Sequence, residues 1–172
     1  MKKLALVVAL SLATVIGGYA QMLSKGTKEL DISGNFDPKG AAGTQVWTAL
    51  GLGYFVADNL ELAAAFAFIY DDYEIGYHPA VGAQYNLNLG CKLVPFIGLN
   101  LGWGIWDYKD IENTDGFVYG GEAGLKYFIT DSLALSASID YDLSTGKIWT
   151  EKDGNMVDNN WGVNWGLRYF FL

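Results

Sequence analysis

The feature that most constrains this chain is a two-residue alternation, repeated in eight segments, in which one face is bulky and apolar and carries no charge. In residues 60–70 that face holds Leu60, Leu62, Ala64, Phe66, Phe68 and Tyr70, while Glu61, Ala63, Ala65 and Ala67 occupy the other. Period two marks a strand, because successive side chains point to opposite sides of a pleated backbone. The same parity runs through Leu30–Phe36, Val46–Tyr54, Val81–Leu87, Ile97–Ile105, Phe117–Tyr127, Leu133–Tyr141 and Trp161–Phe171. Helical stripes of period 3.6 do not compete with it, and no run approaches the ~18 apolar residues of a membrane-spanning helix.

The opposite face decides which all-β architecture is expected. It carries small and polar residues, among them Ser33, Asn35, Gly51, Gly53, Gly98, Asn100, Gly120, Ser136, Ser138, Asp140, Gly162 and Asn164. A soluble barrel encloses its apolar set and wears a dense charged coat. Here charged residues are only 17% of the chain, against 15% aromatic residues and 22 glycines. The reverse arrangement is therefore expected: an eight-stranded, antiparallel, up-and-down transmembrane β-barrel, with bulky side chains on lipid and small or polar ones around a narrow lumen. Strands immersed in hydrocarbon must pair on both sides, which also requires closure.

Ahead of the first strand, Lys2 and Lys3 precede an apolar run from Leu4 to Ile16, and Gly18-Tyr19-Ala20 offers the small residues of a cleavage site. Residues 1–20 read as a signal peptide and 21–172 as the barrel domain. Gln21 stands where a lipidated cysteine would, so no lipid anchor is implied. Export to an oxidising compartment brings no intrachain disulfide, since Cys91 is the sole cysteine. Without Lys2 and Lys3, nine basic residues face nineteen acidic ones, a net −10 that argues against a nucleic-acid partner.

The connections alternate as well. Residues 37–44, 71–79, 107–116 and 144–160 read as long polar loops, 57–59 and 130–132 as minimal turns, and 88–92 as intermediate. Long external loops, short periplasmic turns and an even strand number place both termini in the periplasm. Rings gather at the strand ends, with Tyr54, Tyr85, Tyr127 and Tyr169 expected at the periplasmic rim and Tyr70, Trp103, Tyr119, Tyr141 and Trp161 at the outer one.

The segment Gly51-Leu52-Gly53-Tyr54-Phe55-Val56-Ala57-Asp58-Asn59-Leu60-Glu61-Leu62, the stretch Leu93-Val94-Pro95-Phe96-Ile97-Gly98 and the ending Gly166-Leu167-Arg168-Tyr169-Phe170-Phe171 resemble the outer-membrane β-barrel family that includes the OmpW, OmpX and OmpA-barrel types. This resemblance implies a diderm outer-membrane protein, inserted by the barrel-assembly machinery and surrounded by outer-membrane lipid and lipopolysaccharide. A monomer is expected, and no cofactor.

Candidate functional residues lie on the small and polar face. Glu29, Asp31, Glu61, Glu122, Lys126 and Arg168 form an expected lumenal polar cluster, because an unpaired charge in so narrow an interior is costly. The cluster reads as a structural network or, by resemblance to the OmpA type, as a gate for small solutes. The expected role is that of a small structural, adhesive or narrow-pore barrel with a polar plugged lumen. An OmpW-like channel for small hydrophobic molecules is the alternative. A lipid A-modifying enzyme needs a His, a Ser and an acid together at the outer rim. His78, with Asp72, Glu74 and Ser144 as conceivable partners, lacks a His-x-Ser spacing, so no enzyme is expected. The acidic groups Asp71, Asp72 and Glu74, then Asp110, Glu112 and Asp115, then Asp153 and Asp158 read as solvated loops, or as divalent-cation bridges to lipopolysaccharide phosphates. In the last loop Ile148, Trp149, Met156 and Val157 read as an extension of the final hairpin or as a contact surface.

Overall fold

The computed structural model describes residues 23–40, 43–70, 74–109, 112–150 and 155–172, with the side chains of 35–40 and 43–45 left undescribed. The expected signal peptide, Asp71, Asp72, Asp110 and Asp153 lie outside these residues. Among the described residues there are ten strands: β1 (Lys28–Gly40), β2 (Gly43–Ala57), β3 (Leu60–Tyr70), β4 (Glu74–Asn86), β5 (Leu93–Tyr108), β6 (Thr114–Phe128), β7 (Leu133–Ser144), β8 (Trp149–Thr150), β9 (Met156–Val157) and β10 (Asn159–Phe171). Eight of them form a closed barrel of order β1-β10-β7-β6-β5-β4-β3-β2, while β8 and β9 make a separate two-stranded ribbon. Every pairing is antiparallel. The closed eight-stranded barrel expected from the alternation is the fold observed.

Its polarity is inverted relative to a soluble protein. Along β5, Ile97, Leu99, Leu101, Trp103 and Ile105 are all exposed, Leu99 at 71% of its full area, whereas Val94, Phe96 and Trp106 on the other parity are buried. Closure follows from the same chemistry, since β1 pairs with β10 and no strand edge is left unsatisfied beside an apolar surface. The rings lie at two levels. Tyr54, Tyr85, Tyr127 and Tyr169 sit on alternate strands, each paired in register with an end residue of a neighbour: Lys28, Leu60, Leu93 and Leu133. At the opposite end, Tyr141 pairs with Trp161 and Trp103 with Phe117.

At that end the strands run further than the sequence suggested. Residues 71–79 read as loop, yet β4 begins at Glu74 and pairs from Tyr70↔Ile75 onward. Residues 37–40, 43–44, 107–108 and 114–116 are likewise strand. The reason is that β1, β2, β4, β5 and β6, at thirteen to sixteen residues, exceed the roughly 9–11 residues a bilayer crossing requires, so pairing continues past the apolar band. Pro79 is tolerated inside β4 because the β4–β5 ladder skips it, between Tyr77↔Ile105 and Ala80↔Gly102. At the tight end, the Ala57–Leu60 turn places Asn59 at φ 66°, a left-handed conformation that Asn adopts more readily than most residues.

In the β7–β10 connection Trp149 pairs with Val157 and Thr150 with Met156, in keeping with the hairpin expected there, whereas Ile148 turns inward. Ile148 is fully buried against Trp106 and Val118, with Ile69, Tyr108 and Trp149 packed around them. It therefore offers no contact surface. The Tyr108 hydroxyl donates to the Ile148 carbonyl at 3.0 Å, holding this segment in the barrel mouth.

Candidate functional site

The lumen is built in layers, each dictated by which inward positions carry large side chains. At the end where β1 begins and β10 stops, Phe55, Val94, Phe128, Ala134 and Phe170 point inward and pack with Leu23, giving a buried apolar plug. Phe128 and Phe170 approach to 5.0 Å between ring centroids.

Directly above lies a charged layer. The Lys126 ammonium, with no exposed area, donates to Glu29 Oε2 at 2.7 Å, and Arg168 Nη1 donates to Glu29 Oε1 at 2.6 Å, so one carboxylate bridges two cations. Lys126 also reaches Glu61 at 3.5 Å, and Arg168 reaches Asp31 at 3.7 Å. Hydrogen bonds supply the remaining valences. Gln84 donates to Glu61 and Asn86, and Arg168 Nε donates to Ser136 Oγ. Both cations lie over the Phe96 ring, at 5.5 and 5.3 Å from its centroid, which adds cation–π attraction in a site shielded from water. Glycine on a facing strand makes the room: Glu61 lies across Gly53, where a Cβ would collide with its carboxylate.

Glu122 stands apart from this network. It lies across Gly98, with no ion pair or hydrogen bond of its own among the described residues. Asn164 donates to Asp140, and Asn100 donates to Asp142 at 3.0 Å. Opposite these acids β2, β3 and β4 line the lumen largely with small residues, including Ala49, Gly51, Ala63, Ala65, Ala67, Ala80 and Gly82. A cavity of about 470 Å³ results, reaching from Arg168 to Trp47, Trp106 and Trp149.

His78, read from the sequence as a loop residue, lies in β4 and borders this cavity, its ring over Gly102 and its Nε2 buried without a hydrogen-bond partner. Among the described residues no serine hydroxyl bonds that nitrogen; Ser144 Oγ instead accepts from the Gly146 amide. The aromatic plug, Gln84 and Asn86 went unread in the sequence, as did the burial of Ile148. The visible signal was an aromatic residue at inward parity near the strand ends, at 55, 96, 128 and 170.

These features define a class by fold: the closed, inverted, eight-stranded barrel of small outer-membrane proteins. The structure is similar to the N-terminal β-barrel domain of Pseudomonas aeruginosa OprF, with a TM-score of 0.65 at 21% identity over 86% of this chain and 98% of that one. It is also similar to Neisserial surface protein A, NspA (TM-score 0.62, 16% identity, 84% and 96% of the two chains), and to the outer membrane protein OprG from Pseudomonas aeruginosa (TM-score 0.55, 14% identity, 88% and 99%). No protein-family model and no curated protein matches the sequence.

Proposed function

We propose that the chain is an integral outer-membrane protein with both termini in the periplasm, acting as a sealed structural or adhesive barrel and not as an open pore or an enzyme. The carrying observation is the Lys126–Glu29–Arg168 network, stacked directly on the aromatic plug. Two successive closures, one ionic and one apolar, obstruct the lumen at the same end. The apolar outer face and its two levels of rings support residence among outer-membrane lipid and lipopolysaccharide, with insertion by the barrel-assembly machinery. A charged lumen also disfavours the passage of small hydrophobic molecules.

A second reading, that the ionic layer is a gate, is favoured by one contact: Lys126 already touches Glu61 as well as Glu29, so it has an alternative partner. Planar-bilayer recording of residues 21–172 separates the two. Silence in wild type, Glu122→Ala and Arg168→Ala supports the sealed barrel, and discrete channel steps in wild type contradict it.

A further inference from the structure

The lumen holds more acid than base. Among the described residues facing it between Phe170 and Trp106, Glu29, Asp31, Glu61, Glu122, Asp140 and Asp142 stand against Lys126 and Arg168 alone. Both cations are committed to the lower layer. The upper acids have amide partners or none, and an anion held in a weakly polar enclosure without countercharge is costly.

Two further atoms around the cavity are buried with neither a hydrogen-bond nor an ion-pair partner, His78 Nε2 and Asn100 Oδ1, whereas Asp31 Oδ1 faces Arg168 Nε at 3.7 Å. Asn100 Oδ1 is an acceptor, and so is His78 Nε2 in the Nδ1–H tautomer of a neutral histidine. Carboxylates and orphan acceptors together call for a ligand that only donates, and an alkylammonium group, with three N–H donors and no acceptor, is such a ligand. The cavity volume lies within the usual range for small-molecule sites. Trp47, Trp106 and Trp149 border it at the loop end, where ring faces attract a passing cation.

A metal ion fits less well. Among the described residues no three His, Cys, Asp or Glu side chains converge closely enough to hold one. The acids are instead spread along the barrel. Glu122 pairs in register with Asp140, and Asp142 is the next inward position of β7, about 7 Å further along the strand. We propose that this cavity binds an aliphatic di- or polyamine, with ammonium groups on Asp140, Asp142 and Glu122 and the alkyl chain along Ala63, Ala65 and Ala80.

Calorimetric titration of the folded protein in detergent micelles with spermidine, and separately with magnesium ion, tests the proposal. Spermidine is expected to bind saturably at one site. The pair Asp140→Asn with Asp142→Asn should weaken it by about tenfold or more, since each change removes a charge-assisted contact. Ala65→Phe fills the cavity from the opposite wall, keeps every carboxylate, and should weaken binding to a similar degree; it decides the matter if the double variant does not fold. Absence of saturable binding, equal competition by magnesium, or unchanged spermidine affinity in the folded variants would overturn the proposal. None of these results bears on whether the barrel conducts.

Discussion

Glu29 and Lys126, 97 positions apart in the chain, meet at 2.7 Å inside the barrel, both almost completely shielded from solvent. Because Glu29 simultaneously holds Arg168, its removal strands two buried cations. Glu29→Gln is therefore expected to destabilise the barrel by about 3–5 kcal/mol. Glu61→Gln, which removes the charge behind the longer contact to Lys126 and keeps an amide oxygen to accept from Gln84, should cost roughly 1 kcal/mol. Urea unfolding of the two variants in lipid vesicles measures both, and the reverse order would mean that Glu61 is the principal partner of Lys126.

Gly53 and Glu61 form a steric pair. A side chain at position 53 must occupy space the Glu61 carboxylate already fills, so Gly53→Val should cost about 1–3 kcal/mol through overpacking. Adding Glu61→Ala should recover part of that loss, because the space is then vacated. A double-mutant cycle on the same unfolding transition reads the coupling directly. Strict additivity would show that the two residues do not compete.

Ile148 anchors the β7–β10 connection in the mouth. Its replacement by Ala removes about 2–5 kcal/mol of docking, enough to release the segment while the barrel ladders persist. Trypsin should then cut after the exposed Lys147 at least about tenfold faster, following the population of the open form. An unchanged rate would assign the anchoring to Trp149 or to the hydrogen bond from Tyr108.

Much of the fold was legible because a closed barrel imposes one rule on every strand: one parity meets the apolar surroundings and the other the lumen. Leu99 and Asn100 could be assigned to opposite faces without any knowledge of their neighbours. The extension of β4 was harder to see. Glu74, His78 and Pro79 carry loop chemistry, and that outweighed the continued parity of Ile75, Tyr77, Pro79 and Val81, the one sign of a strand, so that only the structure shows β4 starting at Glu74. In the lumen, the charges were visible as residues but their partners were not. Lys126 and Arg168 meet Glu29, and not Glu122 or Asp140, through strand stagger, a property of closure and not of local sequence. Ile148 was hidden for a related reason: its burial depends on Trp106, which reaches it only when β5 overhangs the apolar band.

On the outer face, Leu99→Arg should destabilise the protein in lipid by about 2–4 kcal/mol, since it sets a charge into hydrocarbon. Leu99→Ala should cost much less.

The most direct test of the inverted polarity is a nitroxide scan along β5, with single cysteines introduced from position 97 to position 105 in a Cys91→Ser background and the labelled protein placed in vesicles. Collision with oxygen, which concentrates in lipid, should be high at 97, 99, 101, 103 and 105 and low at 98, 100, 102 and 104. The opposite phase, or water-soluble quencher reaching the odd positions freely, would contradict a barrel that turns its bulky side chains toward the membrane.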